Sequence, residues 1–171
     1  MSQFPYFADP YHFSYLLDEP QPCDCCGAAA EFDASLFSGI AEIEAICAAC
    51  LAAGKLKALD IETNQPSFSD NIEARDTIRY CTPKLPSWQD IFWPCIDGEY
   101  PRFERIASQA DFDDIDDFKR SFSAETLAVT DINYLWQCMS DTPIDSMAEG
   151  GDISVYLFSL NGRKHCLWDA N

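Results

Sequence analysis

Histidine is almost missing from this chain: its 171 residues include only His12 and His165. Neither lies in a recognisable nucleophile arrangement, and His165 beside Cys166 falls on a strand pattern, where neighbouring side chains point to opposite faces. Glycine is also scarce at 7 residues, and no Gly-x-Ser-x-Gly elbow, phosphate-cradling loop or dinucleotide fingerprint occurs. Positive charge is short as well, with 11 basic against 29 acidic residues and a formal net charge of −18. Such a field repels nucleic acid and anionic membranes and favours basic partners through steering. No apolar run approaches the roughly eighteen residues of a membrane span. The N-terminus has no basic n-region and no long apolar stretch, so it does not read as a signal peptide, and the expectation is a soluble cytoplasmic protein.

Cysteine is what the chain has in excess, with nine residues. Cys23 and Cys26, followed by Gly27, precede Cys47 and Cys50 by twenty intervening residues, the spacing of a four-thiolate zinc site. A tight turn points both sulfurs of a Cys-x-x-Cys pair toward one ion, and a glycine after the second cysteine relieves the turn. Cys25 makes Cys23/Cys25 and Cys25/Cys26 alternative pairs, but only Cys23/Cys26 has the usual two-residue gap with glycine following. The competing readings are disulfides and buried free thiols. An odd cysteine count and the lack of a secretory leader disfavour a fully paired framework. Four protein ligands leave no open coordination position, so the expected cofactor is one structural Zn ion. Cys81, Cys95 and Cys138 read as small buried apolar residues.

The expected fold class is α+β: an N-terminal zinc-ribbon-like four-cysteine element packed on a small antiparallel sheet with several helices, closed by a C-terminal β-hairpin. The whole chain, 1–171, is expected to be a single domain, with residues 1–62 containing the zinc-binding element and 63–171 a helical region and the hairpin. Phe4, Tyr6, Phe7, Tyr11, Phe13 and Tyr15 read as an extended aromatic arm. Phe32 to Ile46 reads as a hairpin turning around Ser38-Gly39, and a helix is expected from about Cys47 to Lys57. Asn71 to Tyr80 reads as a helix with Ile72, Ala74 and Ile78 inward, followed by a Pro- and Trp-rich connection over 81–101.

From Asp111, the residues Phe112, Ile115, Phe118 and Phe122 recur at helical spacing, with Asp111, Asp113, Asp114, Asp116 and Asp117 between them. This predicts an amphipathic helix with an acidic outer face, the candidate contact for a basic protein partner. The spacing lacks the glycine and final glutamate of a calcium-binding EF-hand loop. A further helix is expected from Ser123 to about Met139. Ile153 to Leu160 and Arg163 to Asp169 flank Asn161-Gly162, the preferred pair for a type I′ hairpin.

The order of these motifs, from Tyr6-Phe7-Ala8-Asp9-Pro10 through the two cysteine pairs, Trp88-Gln89, Trp93-Pro94 and Gly150-Gly151 to Tyr156-Leu157-Phe158, resembles the CbrC-like family. That family has no assigned biochemistry, and its best-known member is associated with tolerance to a colicin. The resemblance carries the first zinc site intact onto Cys23, Cys26, Cys47 and Cys50. Two departures stand out. The family follows its Tyr-Leu-Phe run with a second Cys-x-x-Cys-Gly knuckle, where this chain has Leu160 and Arg163 around Asn161-Gly162, which implies one metal per chain. Near Trp93-Pro94 the family shows His-Cys and an Asp, where this chain offers Cys95-Ile96-Asp97 without the histidine. Together with the charge, the resemblance implies an acidic, zinc-stabilised binding protein of toxin immunity or tolerance type, capturing a basic partner such as a nuclease toxin. The alternative expectation is an enzyme with a pocket near Trp88, Trp93, Cys95 and Asp97. Nucleic-acid binding is disfavoured, since only Lys55 and Lys57 lie near the cysteines, against Glu42, Glu44 and Asp60.

Overall fold

An eight-residue strand buried on both faces organises the chain. In the computed structural model, which describes residues 3–171, the elements run as α1 (Pro10–Phe13), β1 (Leu16–Pro22), β2 (Ala29–Asp33), β3 (Ser38–Gly39), β4 (Ala45–Ile46), α2 (Ala48–Ala52) and β5 (Ile61–Glu62). They continue through α3 (Ile72–Cys81), β6 (Arg102–Ile106), α4 (Ile115–Arg120), α5 (Ala124–Val129), α6 (Ile132–Cys138), β7 (Ile153–Leu160) and β8 (Arg163–Ala170). Three antiparallel sheets result, ordered β1-β2-β4, β3-β5 and β6-β7-β8. The fold class is α+β with a C-terminal hairpin, as expected from sequence. Asn161 and Gly162 both take positive φ, as a type I′ turn demands.

The central strand is β7, and its alternation assigns its two faces to different cores. Tyr156 and Phe158 enter the larger core, and Val155 and Leu157 the smaller. In the larger core Phe103 packs on Phe7 and Phe158, with ring centroids 4.8 and 5.4 Å apart, while Trp93 meets Phe158 at 5.4 Å. This aromatic seam joins the N-terminal arm, the Pro-rich connection and the sheet. The arm is also hydrogen-bonded to β6, where Phe103 N–H donates to Tyr6 O and Ala8 N–H to Phe103 O. The smaller core is built around Phe118, which meets Phe112, Phe122 and Trp136.

Several expectations on element boundaries are corrected. Phe32 does pair with Ile46, but Ser38-Gly39 is not the turn between them; it forms β3 and pairs with β5 instead. The helix expected over Cys47–Lys57 stops at Ala52, because Gly54 adopts φ +67, and a Cβ there would lie 2.9 Å from Cys81 Sγ. A 3-10 turn, Lys55–Leu59, follows. The stretch from Ser123 to Met139 is two helices, since Thr130 is extended and the Asp131 carboxylate recaps the chain by accepting from Asn133 and Tyr134 N–H. The acidic segment begins its helix only at Ile115: Asp114 is the cap and Phe112 precedes it in extended backbone. Ile72 points outward at 62 % exposure rather than inward, while Ile78 is buried. Cys81 and Cys95 are half-buried and Cys138 is exposed, so burial does not account for their being cysteines.

A buried carboxylate helps fix the Pro-rich connection to the sheet, alongside Tyr156 Oη donating to Pro86 O at 3.2 Å and Gln89 Nε2 donating to Ala170 O at 2.8 Å. Asp169 accepts from Tyr156 Oη at 2.6 Å and from the N–H groups of Trp88 and Gln89 at 2.8 and 3.1 Å. Burial, reinforced by the Asp169 carboxylate, pushes the Tyr156 hydroxyl far above its ordinary range, so it remains a donor. Asp169→Ala leaves three donors without this partner and is expected to destabilise the protein by about 3 kcal/mol in urea unfolding. A loss below about 0.5 kcal/mol contradicts the anchoring role.

Candidate metal centre

The first knuckle is a turn closed by its own backbone. Cys26 and Gly27 N–H donate to Cys23 O, Cys23 N–H donates to Ala28 O at 2.7 Å, and Gly27 takes φ +74. The second knuckle is a helix start. Cys47 caps α2, its sulfur accepting from Cys50 N–H at 3.4 Å, so the same side chain that faces the centre also satisfies a helix-terminal donor. Two acidic residues hold the knuckles in place. Asp24 accepts from Glu44 N–H at 2.8 Å and Ala45 N–H at 3.0 Å, fastening the first turn to β4. Glu31, on β2, accepts from Ala48 N–H at 2.8 Å at the start of α2. Neither was picked out from sequence, where a carboxylate inside a knuckle looks like ordinary surface charge.

The result is one cluster: Cys23, Cys26, Cys47 and Cys50 place their sulfurs within 4.8 Å of one another and could hold a metal ion. Cys26 and Cys47 Sγ are 3.7 Å apart. A tetrahedral ion with thiolate arms of about 2.3 Å separates its sulfurs by roughly 3.8 Å, so the spacing suits coordination and is far too long for a disulfide. All nine cysteines are free, and Cys25 lies outside the cluster. Burial raises the Cys23 thiol, but N–H donation from Cys47, Cys25 and Cys26 outweighs it and brings the value to about 7. Burial and the neighbouring sulfurs push Cys50 well up, and burial also raises Cys47. Without a cation, therefore, Cys23 is favoured as a thiolate while burial disfavours charge on Cys47 and Cys50. A soft divalent ion removes that conflict.

The residues of the predicted acidic contact divide between capping roles and the open surface. Asp111 closes a capping box with Ser108, accepting from its N–H and hydroxyl. Asp114 caps α4 by accepting from Asp117 N–H at 2.7 Å. Asp117 pairs with Lys164 at 2.7 Å and Arg120 at 3.4 Å, and the Lys164 ammonium holds its carboxyl below the usual range. Asp113, Asp114 and Asp116 are exposed, Asp114 while serving as the cap, and Lys119 lies 3.9 Å from Asp116. The suggested pocket is likewise divided. Cys95 and Asp97 line an open groove of about 640 Å³ with Arg120, Glu125 and His165. Trp93 instead lies in the core, donating to Pro101 O, and Trp88 is exposed beside the Asp169 anchor. Among the described residues, no helix is long and apolar enough to cross a membrane.

Asp24 lies outside the cluster but fastens the turn that carries Cys23 and Cys26, and backbone N–H groups hold its carboxyl below the ordinary range. The contribution of Asp24 is therefore present above the usual carboxylate range and lost only as pH falls through the lowered value. Asp24→Ala is expected to weaken metal affinity by about tenfold or more in chelator competition at neutral pH. Unchanged affinity contradicts the positioning role.

Comparison with the curated proteins and with the solved structures gives no match. The model of one family spans residues 1–169. With its cysteine cluster inside a match that covers nearly the whole length, the chain belongs to the uncharacterised protein family UPF0167.

Proposed function

We propose that this protein is a zinc-stabilised acidic binding module that captures a basic protein partner, of the toxin-tolerance type implied by its resemblance to the CbrC-like family. Zinc is the ion of choice for four converging thiolates with tetrahedral spacing, and with no open position it acts as a structural clasp. The carrying observation for the partner is how few carboxylates are neutralised within the chain. Among the described residues, seven of the eleven Lys and Arg side chains form internal ion pairs, and those pairs use six of the twenty-nine carboxylates. The excess negative charge faces outward and steers a cationic surface into contact. Within the acidic segment, Asp113 and Asp116 are best placed for that role, since Asp111, Asp114 and Asp117 hold the local fold and the ion pair of Asp116 with Lys119 is long, at 3.9 Å.

A second reading, an enzyme, draws on the groove that gathers Cys95, Asp97 and His165. Among the described residues no hydrogen bond joins Cys95 to His165, and burial and the adjacent Arg163 lower the histidine's proton affinity. The groove therefore lacks an assembled nucleophile–base pair, and the binding reading takes precedence.

Protein purified without added metal is expected to carry one zinc per chain by elemental analysis, and Cys47→Ser with Cys50→Ser to carry none. A metal-free native chain contradicts the clasp. Capture of a basic protein at low salt is expected to fall steeply at high salt and on Asp113→Lys with Asp116→Lys. Capture indifferent to both changes contradicts the acidic face.

A further inference from the structure

The four converging cysteines are not equivalent. Cys23, Cys47 and Cys50 are buried, whereas Cys26 is exposed. The fold makes this difference: Cys47 and Cys50 open a helix whose inner side enters the larger core, while Cys26 stands on the outer shoulder of the first turn. Gly27 beside it has nothing within 4 Å of where a Cβ would lie, so the approach to that side of the turn is open. A second sulfur, Cys47 Sγ, waits 3.7 Å behind it. Oxidant-sensitive cysteines combine thiolate character, access and a nearby resolving thiol, and a metal ligand is a thiolate by necessity.

We infer that Cys26 is a modification site, the ligand through which a peroxide-class oxidant enters the centre, with Cys47 as its resolving partner. The Cys26 thiolate attacks one peroxide oxygen; the O–O bond breaks, the sulfur is oxidised by two electrons to sulfenic acid, and the leaving oxygen takes a proton and departs as water. The Cys47 thiolate then attacks the Cys26 sulfur and displaces hydroxide, which is protonated to a second water as the S–S bond forms. One hydrogen peroxide, two thiolates and two protons thus give one disulfide and two waters. The sulfurs need to close from 3.7 Å to about 2.05 Å. Two of four ligands are lost together, and the remaining pair does not retain the ion. The other exposed thiol, Cys138, stands on α6 beside Tyr134 and outside the cluster. Cys166 is buried, which pushes its thiol up to about 12 and makes it inert.

The inference rests on the cluster's holding a metal, so metal content is measured first; a chain without metal overturns that reading, and this one with it. The zinc-loaded full chain carrying Cys138→Ser is treated with one equivalent of hydrogen peroxide, with release followed by a metallochromic dye and thiols mapped by mass spectrometry. Release in step with a Cys26–Cys47 crosslink is expected. Cys26→His keeps a ligand that peroxide does not oxidise, and is expected to slow release by about tenfold or more. Equal rates in the two proteins, or first oxidation at Cys23 or Cys50, overturns the assignment. If the histidine variant does not load, the loaded parent is treated with limiting iodoacetamide: first alkylation within the cluster at Cys26 supports the site, and first alkylation at a buried cluster cysteine refutes it.

Discussion

Four sulfurs within 4.8 Å of one another cannot all be charged unless a cation stands among them, and the N-terminal part of the fold is arranged around that condition. The clustered cysteines arrive from two places: a turn after β1 and the cap of α2. Of the strands that connect them, β2 has five residues but β3 and β4 only two each, and strands so short do not hold themselves in register. Asp24 and Glu31 support the arrangement by occupying backbone donors next to the ligands, so each knuckle is tied to the strand opposite. A bound ion would add a direct link between the sulfurs of the two knuckles.

Three of the four clustered cysteines belong to the larger core. Cys23, Cys47 and Cys50 pack in one continuous group with Phe32, Leu51, Trp93, Phe103 and Phe158. That group spans residues on both sides of position 62 and reaches the inner face of β7. Burying aromatic rings in edge-to-face contact stabilises this seam by both area and geometry. The opposite face of β7 carries a second, smaller core under α4 and α6, whose outer surface bears the acidic segment. The cysteine cluster and the acidic segment therefore belong to cores that share one strand.

What was legible in the sequence is what depends on near neighbours. The Cys-x-x-Cys spacing within each pair and the Asn161-Gly162 hairpin are local rules, and the thiol side chains mark the distant pair as a partner. The pairing of Ser38-Gly39 with Ile61-Glu62 was not legible, because it joins segments more than twenty residues apart through backbone groups that leave no side-chain pattern. Helix ends failed where one residue's backbone decides, at Gly54 and at Thr130-Asp131. Ile72 failed because periodicity assigns a face but not what covers it. The acidic run was legible as charge but not as capping chemistry: Asp111 and Asp114 look like surface until the backbone donors they accept from are known.

Amide hydrogen exchange on the zinc-loaded and metal-stripped protein tests most directly whether a bound ion holds the N-terminal sheet onto the shared core. Stripping the metal is predicted to abolish protection across β1, β2, β4 and α2 while the β7–β8 hairpin remains protected. Equal protection of those N-terminal amides with and without metal contradicts the account.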